Sequence, residues 1–177
     1  MRSFLNKILY GGGVFFDLCK WVILAAVIVI LILKLWISFF IVDGLSMEPT
    51  LHDKELILLQ KNSYTKNDPK RGDVVVVEYP GDPENKKYVK RVVGLPSEKM
   101  TIRTGKVYIN DQLLEEDYIP FGVTTEPNKQ VILSNTEYYL MGDNRTVSND
   151  SRVFGPVEKR FVWGKAIWII LPRFRSI

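Results

Sequence analysis

The sequence predicts a mostly β domain that follows one membrane-spanning helix. A long apolar run lies near the N-terminus, and from Glu55 onward short apolar, β-branched segments alternate with turn residues. No sustained helical period follows the apolar run. The 177 residues leave enough chain beyond the run for one domain with a modest core. We therefore expect short antiparallel strands joined by long connections.

The apolar run predicts a retained anchor helix over residues 21–42. Every residue from Trp21 to Leu33 is apolar, and the apolar character resumes after Lys34. This length matches the roughly 20 residues that cross a bilayer. A cleavable signal peptide is the competing interpretation, but the run is too long for one and no small-x-small cleavage site follows before Ser46.

The charges beside the run predict its orientation. Basic residues on the short N-terminal side favour the cytoplasm for residues 1–20 and place residues 43–177 outside the membrane. Those basic residues are Arg2, Lys7 and Lys20.

The outer domain reads as a series of strands separated by turns. Glycine, proline, asparagine and aspartate punctuate the apolar segments throughout. The predicted strands are 56–59, 74–79, 88–93, 100–103, 106–109, 131–133, 138–141 and 161–170.

Composition excludes several classes of function. The net charge of +4 is spread along the chain, which does not favour nucleic-acid binding and allows contact with an anionic membrane surface. One cysteine, Cys19, permits no intrachain disulfide. With a single histidine, His52, the chain also offers no zinc ligand set, and we expect neither a metal nor a cofactor.

Ser46 is presented directly after the apolar run. The segment Gly44–Leu51 is turn-prone, and Pro49 disfavours helix at the residue before it. A loop on a rigid scaffold is a common place for catalytic residues. Taken alone, however, such a serine is more often an ordinary polar loop residue.

Lys90 lies in a predicted strand beside a second cation. Alternation puts Tyr88, Lys90 and Val92 on one face and Arg91 on the other. If the first face is the core side, burial lowers the pKa of Lys90 and makes it a usable general base. Alternation leaves open the opposite arrangement, in which Lys90 points outward and Arg91 merely pairs with an acid.

Residues 142–152 form a polar block after an apolar strand. Most of these side chains make hydrogen bonds or ion pairs, and the spacing favours local pairing of Asp143 with Arg145 and of Asp150 with Arg152. Such a block is more often a structural turn than a catalytic centre. It lacks the spacing of a calcium loop.

Together these segments resemble a type I signal peptidase, of the single-anchor kind typical of Gram-positive bacteria. The matching segments occur in the family's order behind an anchor of the right orientation. They are Ser46–Leu51, Arg71–Val76, Tyr88–Pro96 and Gly142–Arg152 with Gly155 and Val157. One departure is Ser97-Glu98, where the family commonly has Gly-Asp.

The resemblance implies a Ser/Lys endopeptidase on a coiled antiparallel β-sheet. Ser46 is then the nucleophile, Lys90 the general base and Ser148 the group that orients Lys90. The oxyanion would be bound by the Ser46 backbone N–H and a backbone group of the Gly44 region. Any cap insertion, around residues 100–140, should be small. The supporting residues are Asp143, Arg145, Asp150 and Arg152.

The implied substrates are exported preproteins whose signal peptides end in small-x-small sites. We expect Leu45, Tyr88 and Val92 to form the walls of the substrate pockets. The implied partners are the preprotein and the lipid bilayer, with the secretion translocase as a further candidate, and no nucleic acid. The expected location is the cell membrane, with a single pass, a cytoplasmic N-terminus and an extracytoplasmic catalytic domain.

Two alternatives remain open at this level. A membrane-tethered β-domain could bind partner proteins without cutting them, although the presence of both Ser46 and Lys90 argues against it. A self-cleaving Ser/Lys protease of the repressor type needs a cleavable Ala-Gly-like bond and usually no anchor, and neither condition is clearly met.

Overall fold

The computed structural model describes residues 2–79, 81–84 and 86–177. The chain divides into an N-terminal unit that ends at Ile37 and a second unit, Ser38–Ile177. The first unit consists of one long helix, α1 (Arg2–Trp36). Among the described residues, no helix has a stretch both long and apolar enough to cross a membrane.

Helix α1 has different boundaries from the helix predicted over residues 21–42. That prediction is wrong at its C-terminal side, because Ile37–Ile41 forms strand β1. Isoleucine and phenylalanine in this segment favour extended backbone, and hydropathy alone does not separate a strand from the end of a helix. At the other side, α1 continues through Gly11–Gly13, which the sequence analysis does not anticipate.

The second unit is built from short strands, as the sequence predicts. The remaining strands, in chain order, are β2 (Leu56–Gln60), β3 (Val74–Glu78), β4 (Lys87–Gly94), β5 (Lys99–Arg103), β6 (Lys106–Ile109), β7 (Gln112–Leu113), β8 (Lys129–Ile132), β9 (Glu137–Met141), β10 (Val157–Glu158), β11 (Val162–Leu171) and β12 (Arg175–Ser176). The prediction of a mostly β, antiparallel fold is confirmed.

Within the described residues the strands form two sheets. The larger has eight strands in the order β1-β2-β11-β3-β4-β9-β10, with β12 paired to β11. The smaller has four strands in the order β7-β6-β5-β8. The smaller sheet falls inside the segment that the sequence analysis assigns to a cap insertion. Short 3₁₀ turns occupy Lys61–Tyr64 and Lys159–Phe161.

Strands β3 and β4 lie between hydrophobic clusters on both of their faces. All of Val74–Val77 is buried, and alternate valines belong to different clusters. A fully buried valine contributes about 1.5–3 kcal/mol through apolar burial. Because both faces are covered, either cation of the Lys90-Arg91 pair is removed from water. Burial therefore follows from the position of β4 in the sheet.

The polar block contains an element that the sequence analysis misses. A single helical turn, α2 (Ser151–Phe154), begins after Asp150, whose carboxylate caps it by accepting a hydrogen bond from the Arg152 backbone N–H. One turn of helix is too short to give a periodic signal.

Candidate active site

The turn that carries Ser46 is anchored by two buried apolar side chains. Met47 and Leu51 are both fully buried, and the Leu51 N–H donates to the Met47 carbonyl at 2.9 Å. Gly44 adopts a φ of 97°, a conformation that favours glycine. Its N–H donates to Asp53 Oδ1 at 2.7 Å. Ser46 is thereby held half-buried at the edge of the core.

Lys90 points to the inside of the domain and reaches Ser46. Its side chain is only 2% exposed and lies on β4 directly opposite Val75 of β3. Lys90 Nζ donates a hydrogen bond to Ser46 Oγ at 2.8 Å. This observation decides between the two orientations that alternation leaves open.

The surroundings of Lys90 favour its neutral form. Desolvation by burial is the largest effect, and the positive charge of Arg152 acts in the same direction. The negative charges of Asp150 and Asp143 oppose it but do not cancel it. The net result lowers the pKa of Lys90 to about 8. Near neutral pH a minority of the molecules therefore carry a neutral Lys90, far more than for a lysine in water.

Arg91 is buried on the opposite face of β4 and is fully paired. Its Nε and Nη2 donate to the two oxygens of Asp143 at 2.8 and 2.6 Å, and its Nη1 donates to the Gly72 carbonyl at 2.8 Å. The Thr50 hydroxyl also donates to Asp143, so the carboxylate joins β4 to the Ser46 turn. Bidentate arginine–carboxylate pairs are strong and geometrically specific.

Asp143 therefore has a different partner from the one its spacing suggests, and the expected pairing of Asp143 with Arg145 is wrong. Arg145 instead bonds the carboxylate of Glu116 and the hydroxyl of Thr125. Both partners come from the loop between β7 and β8, which is distant in sequence. Spacing within one segment cannot reveal a partner that tertiary structure brings in.

The expected pairing of Asp150 with Arg152 is present. Arg152 Nε donates to Asp150 Oδ1 at 2.9 Å and Nη2 to Oδ2 at 2.8 Å, while the Gly142 N–H donates to Oδ2 at 3.0 Å. Burial alone would raise the pKa of Asp150, but Arg152 and the Gly142 N–H outweigh it and lower that pKa. Asp150 is thus held as a charged carboxylate near Lys90.

Ser148 is buried beside these groups, but it does not make the expected bond to Lys90. The hydroxyl helps to lower the pKa of Asp150, yet no described group meets hydrogen-bond geometry with Ser148 Oγ. The backbone at Gly142 lies very close to Ser148 and Ser46. A methyl group at this position would overlap with both Ser148 Oγ and the Ser46 carbonyl oxygen. The polar block therefore packs directly against the Ser46 turn.

An open cleft of about 320 Å³ lies over Ser46 and Lys90. Leu45 and Tyr88, both expected as pocket residues, line it. Val92 does not line it and is fully buried in a core cluster with Val75. The prediction for Val92 is wrong because the cleft extends along β4 only as far as Lys90. The remaining lining residues are Asp43, Gly44, Val147 and Asn149.

The single histidine lies outside this arrangement. His52 is exposed and lies 3.5 Å from the Glu48 carboxylate. Among the described residues, no group of three or more histidine, cysteine, aspartate or glutamate side chains could hold a metal ion.

Sequence reasoning misses three residues that hold the site together. Thr50, Glu116 and Tyr118 all contact its buried arginines or Asp143. Thr50 lies in the segment Gly44–Leu51, which the sequence marks as the turn that carries Ser46. Its hydroxyl can therefore be recognised from the sequence as a candidate supporting group. Glu116 and Tyr118 lie in an acidic loop that carries no pattern of its own.

The chain is similar to known proteins over most of its length. The family described as Signal peptidase, peptidase S26 matches residues 15–171. Signal peptidase I of Bacillus amyloliquefaciens is 35% identical over 166 residues, which cover 88% of each chain. Signal peptidase IB of Staphylococcus aureus is 30% identical over 176 residues, which cover 88% of this chain and 91% of that protein.

A solved structure of a signal peptidase I from Enterococcus faecalis V583 is 28% identical. It covers 56% of this chain and 97% of its own, with a TM-score of 0.49. The match of the family over residues 15–171 and the curated relatives carry the assignment. The chain belongs to the signal peptidase family, peptidase S26, and is a serine endopeptidase.

Proposed function

We propose that this protein removes signal peptides from exported preproteins, with Ser46 as nucleophile and Lys90 as general base. The observation that carries the proposal is the 2.8 Å hydrogen bond between Lys90 Nζ and Ser46 Oγ in a desolvated setting. The names of the relatives, which are signal peptidases, support the choice of substrate.

Neutral Lys90 accepts the Ser46 proton as Ser46 Oγ attacks the scissile carbonyl carbon. The resulting tetrahedral oxyanion needs a preorganised donor. The Ser46 N–H, which donates to no other group among the described residues, suits this role. The Gly44 N–H is already bound to Asp53 and is not available.

Collapse of the intermediate expels the amine of the mature protein, which takes the proton from the Lys90 ammonium. The signal peptide remains as an ester on Ser46. Lys90, neutral again, then deprotonates a water that attacks the ester carbonyl. As the signal peptide leaves with a free carboxylate, the Lys90 ammonium returns the proton to Ser46 Oγ and restores the starting state. Burial and the charge of Arg152 keep the pKa of Lys90 at about 8, while Asp150 and Asp143 stabilise the transient ammonium.

The walls of the cleft favour small side chains before the cut. Leu45 is half exposed beside Ser46, and the Tyr88 ring lies 5.8 Å from Lys90 Nζ, with its hydroxyl donating to Asp82 at 2.8 Å. Leu45 and Tyr88 flank Ser46 and Lys90 in this cleft, so a substrate side chain next to the cut must fit between them. Small-x-small sites fit this geometry.

We further propose that α1 anchors the protein as a single-pass membrane protein with the peptidase domain outside. Residues 16–31 are mostly apolar, and all but one of their side chains are exposed. Arg2, Lys7 and Lys20 favour a cytoplasmic N-terminus. The bilayer is then a partner, and the secretion translocase is a candidate for substrate delivery.

Aromatic residues near β12 support contact with lipid. Trp168 and Phe174 are stacked with ring centroids 4.8 Å apart, and both are exposed. Trp163, by contrast, packs on the core, and Lys87 Nζ lies 4.2 Å from the centre of its ring. Exposed aromatic rings are favoured at membrane interfaces.

The experiment supplies a preprotein with a small-x-small site to the full chain in phospholipid vesicles. We expect cleavage by wild type and by His52→Ala, and none by Ser46→Ala or Lys90→Met. Residual cleavage by both dyad variants would refute the assignment. Binding of the preprotein without any cleavage would favour the non-catalytic alternative.

A further inference from the structure

The loop between β7 and β8, residues 114–128, bonds directly to the polar block; we call it the cap loop. The Arg145 side chain is fully buried, and both of its terminal nitrogens donate to the Glu116 carboxylate. Thr125 of the same loop accepts a further hydrogen bond from Arg145. A buried guanidinium needs such a partner, because an unpaired charge in the interior is strongly unfavourable.

Tyr118 connects this ion pair to another buried arginine, Arg91. Its hydroxyl donates to Glu116 Oε1 at 2.8 Å, and its ring lies 4.1 Å from the guanidinium carbon of Arg91. Arg91 in turn is bound to Asp143. The cap loop therefore contacts both arginines, and the charges of Glu116 and Asp143 balance those of Arg91 and Arg145.

Hydrogen bonds within the polar block link Arg145 to Ser46. Arg145 Nε donates to the Gly142 carbonyl at 3.1 Å, and the Asn144 N–H donates to the Ser46 carbonyl at 3.1 Å. Gly142 is packed so closely on Ser46 that no methyl group fits between them. Any displacement of the block must therefore displace the Ser46 turn or break its contacts.

We propose that Glu116 and Tyr118 of the cap loop are positioning residues for the peptidase reaction. They hold Arg145 and Arg91 so that the polar block fixes Ser46 against Lys90. The inference rests on the proposed function of the Ser46–Lys90 pair. Neither residue lines the cleft, so neither contacts substrate there.

Removing the charge of Glu116 should affect turnover more than substrate binding. Glu116→Gln leaves the buried Arg145 without a counter-charge, and the guanidinium is drawn toward Asp143 or Asp150. A displacement of the reacting groups by about 1 Å costs on the order of 100-fold in rate. We expect kcat to fall by about 10-fold or more with KM nearly unchanged.

The pH profile supplies a readout that a purely structural role would not move. Lys90 faces Asp150, Asp143, Arg152 and the ring of Tyr88. An unpaired Arg145 that approaches either carboxylate weakens its stabilisation of the Lys90 ammonium. The apparent pKa of the acid limb of kcat/KM should therefore fall below that of wild type.

The experiment compares Glu116→Gln with Glu115→Gln in the full chain, using the same vesicles and preprotein and rates normalised to folded protein. Glu115 is exposed and adjacent in sequence, so the control makes the same change of charge in the same loop. A second variant, Tyr118→Phe, removes only the hydrogen bond to Glu116 and should lower kcat several-fold. It tests the proposal even if Glu116→Gln does not fold.

The outcomes separate the two proposals. If wild type cleaves and Glu116→Gln matches Glu115→Gln in kcat and in pH profile, the positioning role is wrong. A Tyr118→Phe variant with wild-type kcat and pH profile overturns it when Glu116→Gln is unfolded. If wild type itself fails to cleave, or Ser46→Ala still cleaves, the proposed function fails instead.

Discussion

Lys90 Nζ lies 2.8 Å from Ser46 Oγ, whereas Asp150, the acid with the largest charge effect on Lys90, is bound to Arg152. A carboxylate bonded directly to Lys90 would hold it as an ammonium. Because Arg152 takes up both oxygens of Asp150, Lys90 keeps a depressed pKa while a negative charge remains nearby. This division of partners suits a base that must gain and release a proton.

The first prediction concerns the pH dependence of cleavage. In the proposed mechanism Lys90 acts as a base only when neutral, and its pKa lies at about 8. We expect kcat/KM to rise with pH and to level off above about 8, as measured with a peptide substrate between pH 5 and 10. A profile that is flat from pH 6 to pH 9 would contradict the role of Lys90.

The second prediction is that Lys90→Met stabilises the fold. The pKa of Lys90 is lower in the folded protein than in the unfolded chain, so the unfolded state binds more protons between these two values. Stability therefore rises with pH through that window, and the cost of the buried ammonium is fully present below pH 8. At pH 7 the methionine variant should gain on the order of a few kcal/mol in urea unfolding.

The advantage of Lys90→Met should shrink as the pH approaches 10. Lys106→Met is the matched control, since Lys106 is an exposed strand lysine and its replacement should leave stability nearly unchanged. Equal unfolding free energies for the two variants at pH 7 would show that Lys90 is not desolvated.

The third prediction concerns the carboxylate that joins β4 to the Ser46 turn. Asp143→Asn leaves the buried Arg91 without its charged partner, so we expect a loss of about 3–5 kcal/mol in urea unfolding. Asp111→Asn breaks an exposed pair with Lys99 and should cost less than about 1 kcal/mol. Similar losses for the two variants would argue against a special role for Asp143.

The fourth prediction separates packing at the site from packing in the core. Gly142→Ala introduces a methyl group that overlaps with Ser148 and Ser46, so it should lower kcat per folded molecule by about 100-fold. Gly94→Ala places a methyl group 2.8 Å from Leu133 Cδ1 and 2.9 Å from Tyr139 Cβ. This control should lower the melting temperature while the folded fraction keeps its kcat.

The sequence predicts the strands well because β-branched runs and turn residues mark them locally. Val74–Val77 shows this clearly. Ile37–Ile41, by contrast, continues an apolar run, so the sequence assigns it to the anchor helix. The family motifs identify Ser46 and Lys90 as a candidate catalytic pair. Their contact depends on the register of β4 against β3, which no motif encodes.

The supporting partners are harder to foresee than the dyad. Asp150 and Arg152 lie two residues apart and form the expected pair. Asp143 and Arg145 have the same spacing, but their partners come from β4 and from the cap loop. Two neighbouring residues of opposite charge do not pair with each other when each has a buried partner of opposite charge elsewhere in the fold. Equal spacing in sequence therefore cannot predict which pairs form.

Arg175 of β12 donates to the Thr50 carbonyl at 3.0 Å and to the Glu55 carboxylate, across 125 and 120 positions of sequence. The turn that presents Ser46 is thus held by a strand that is synthesised long after it. Contacts of such long range form late and slowly during folding. A chain synthesised only as far as β11 should therefore lack proteolytic activity until β12 follows and Arg175 binds the Ser46 turn.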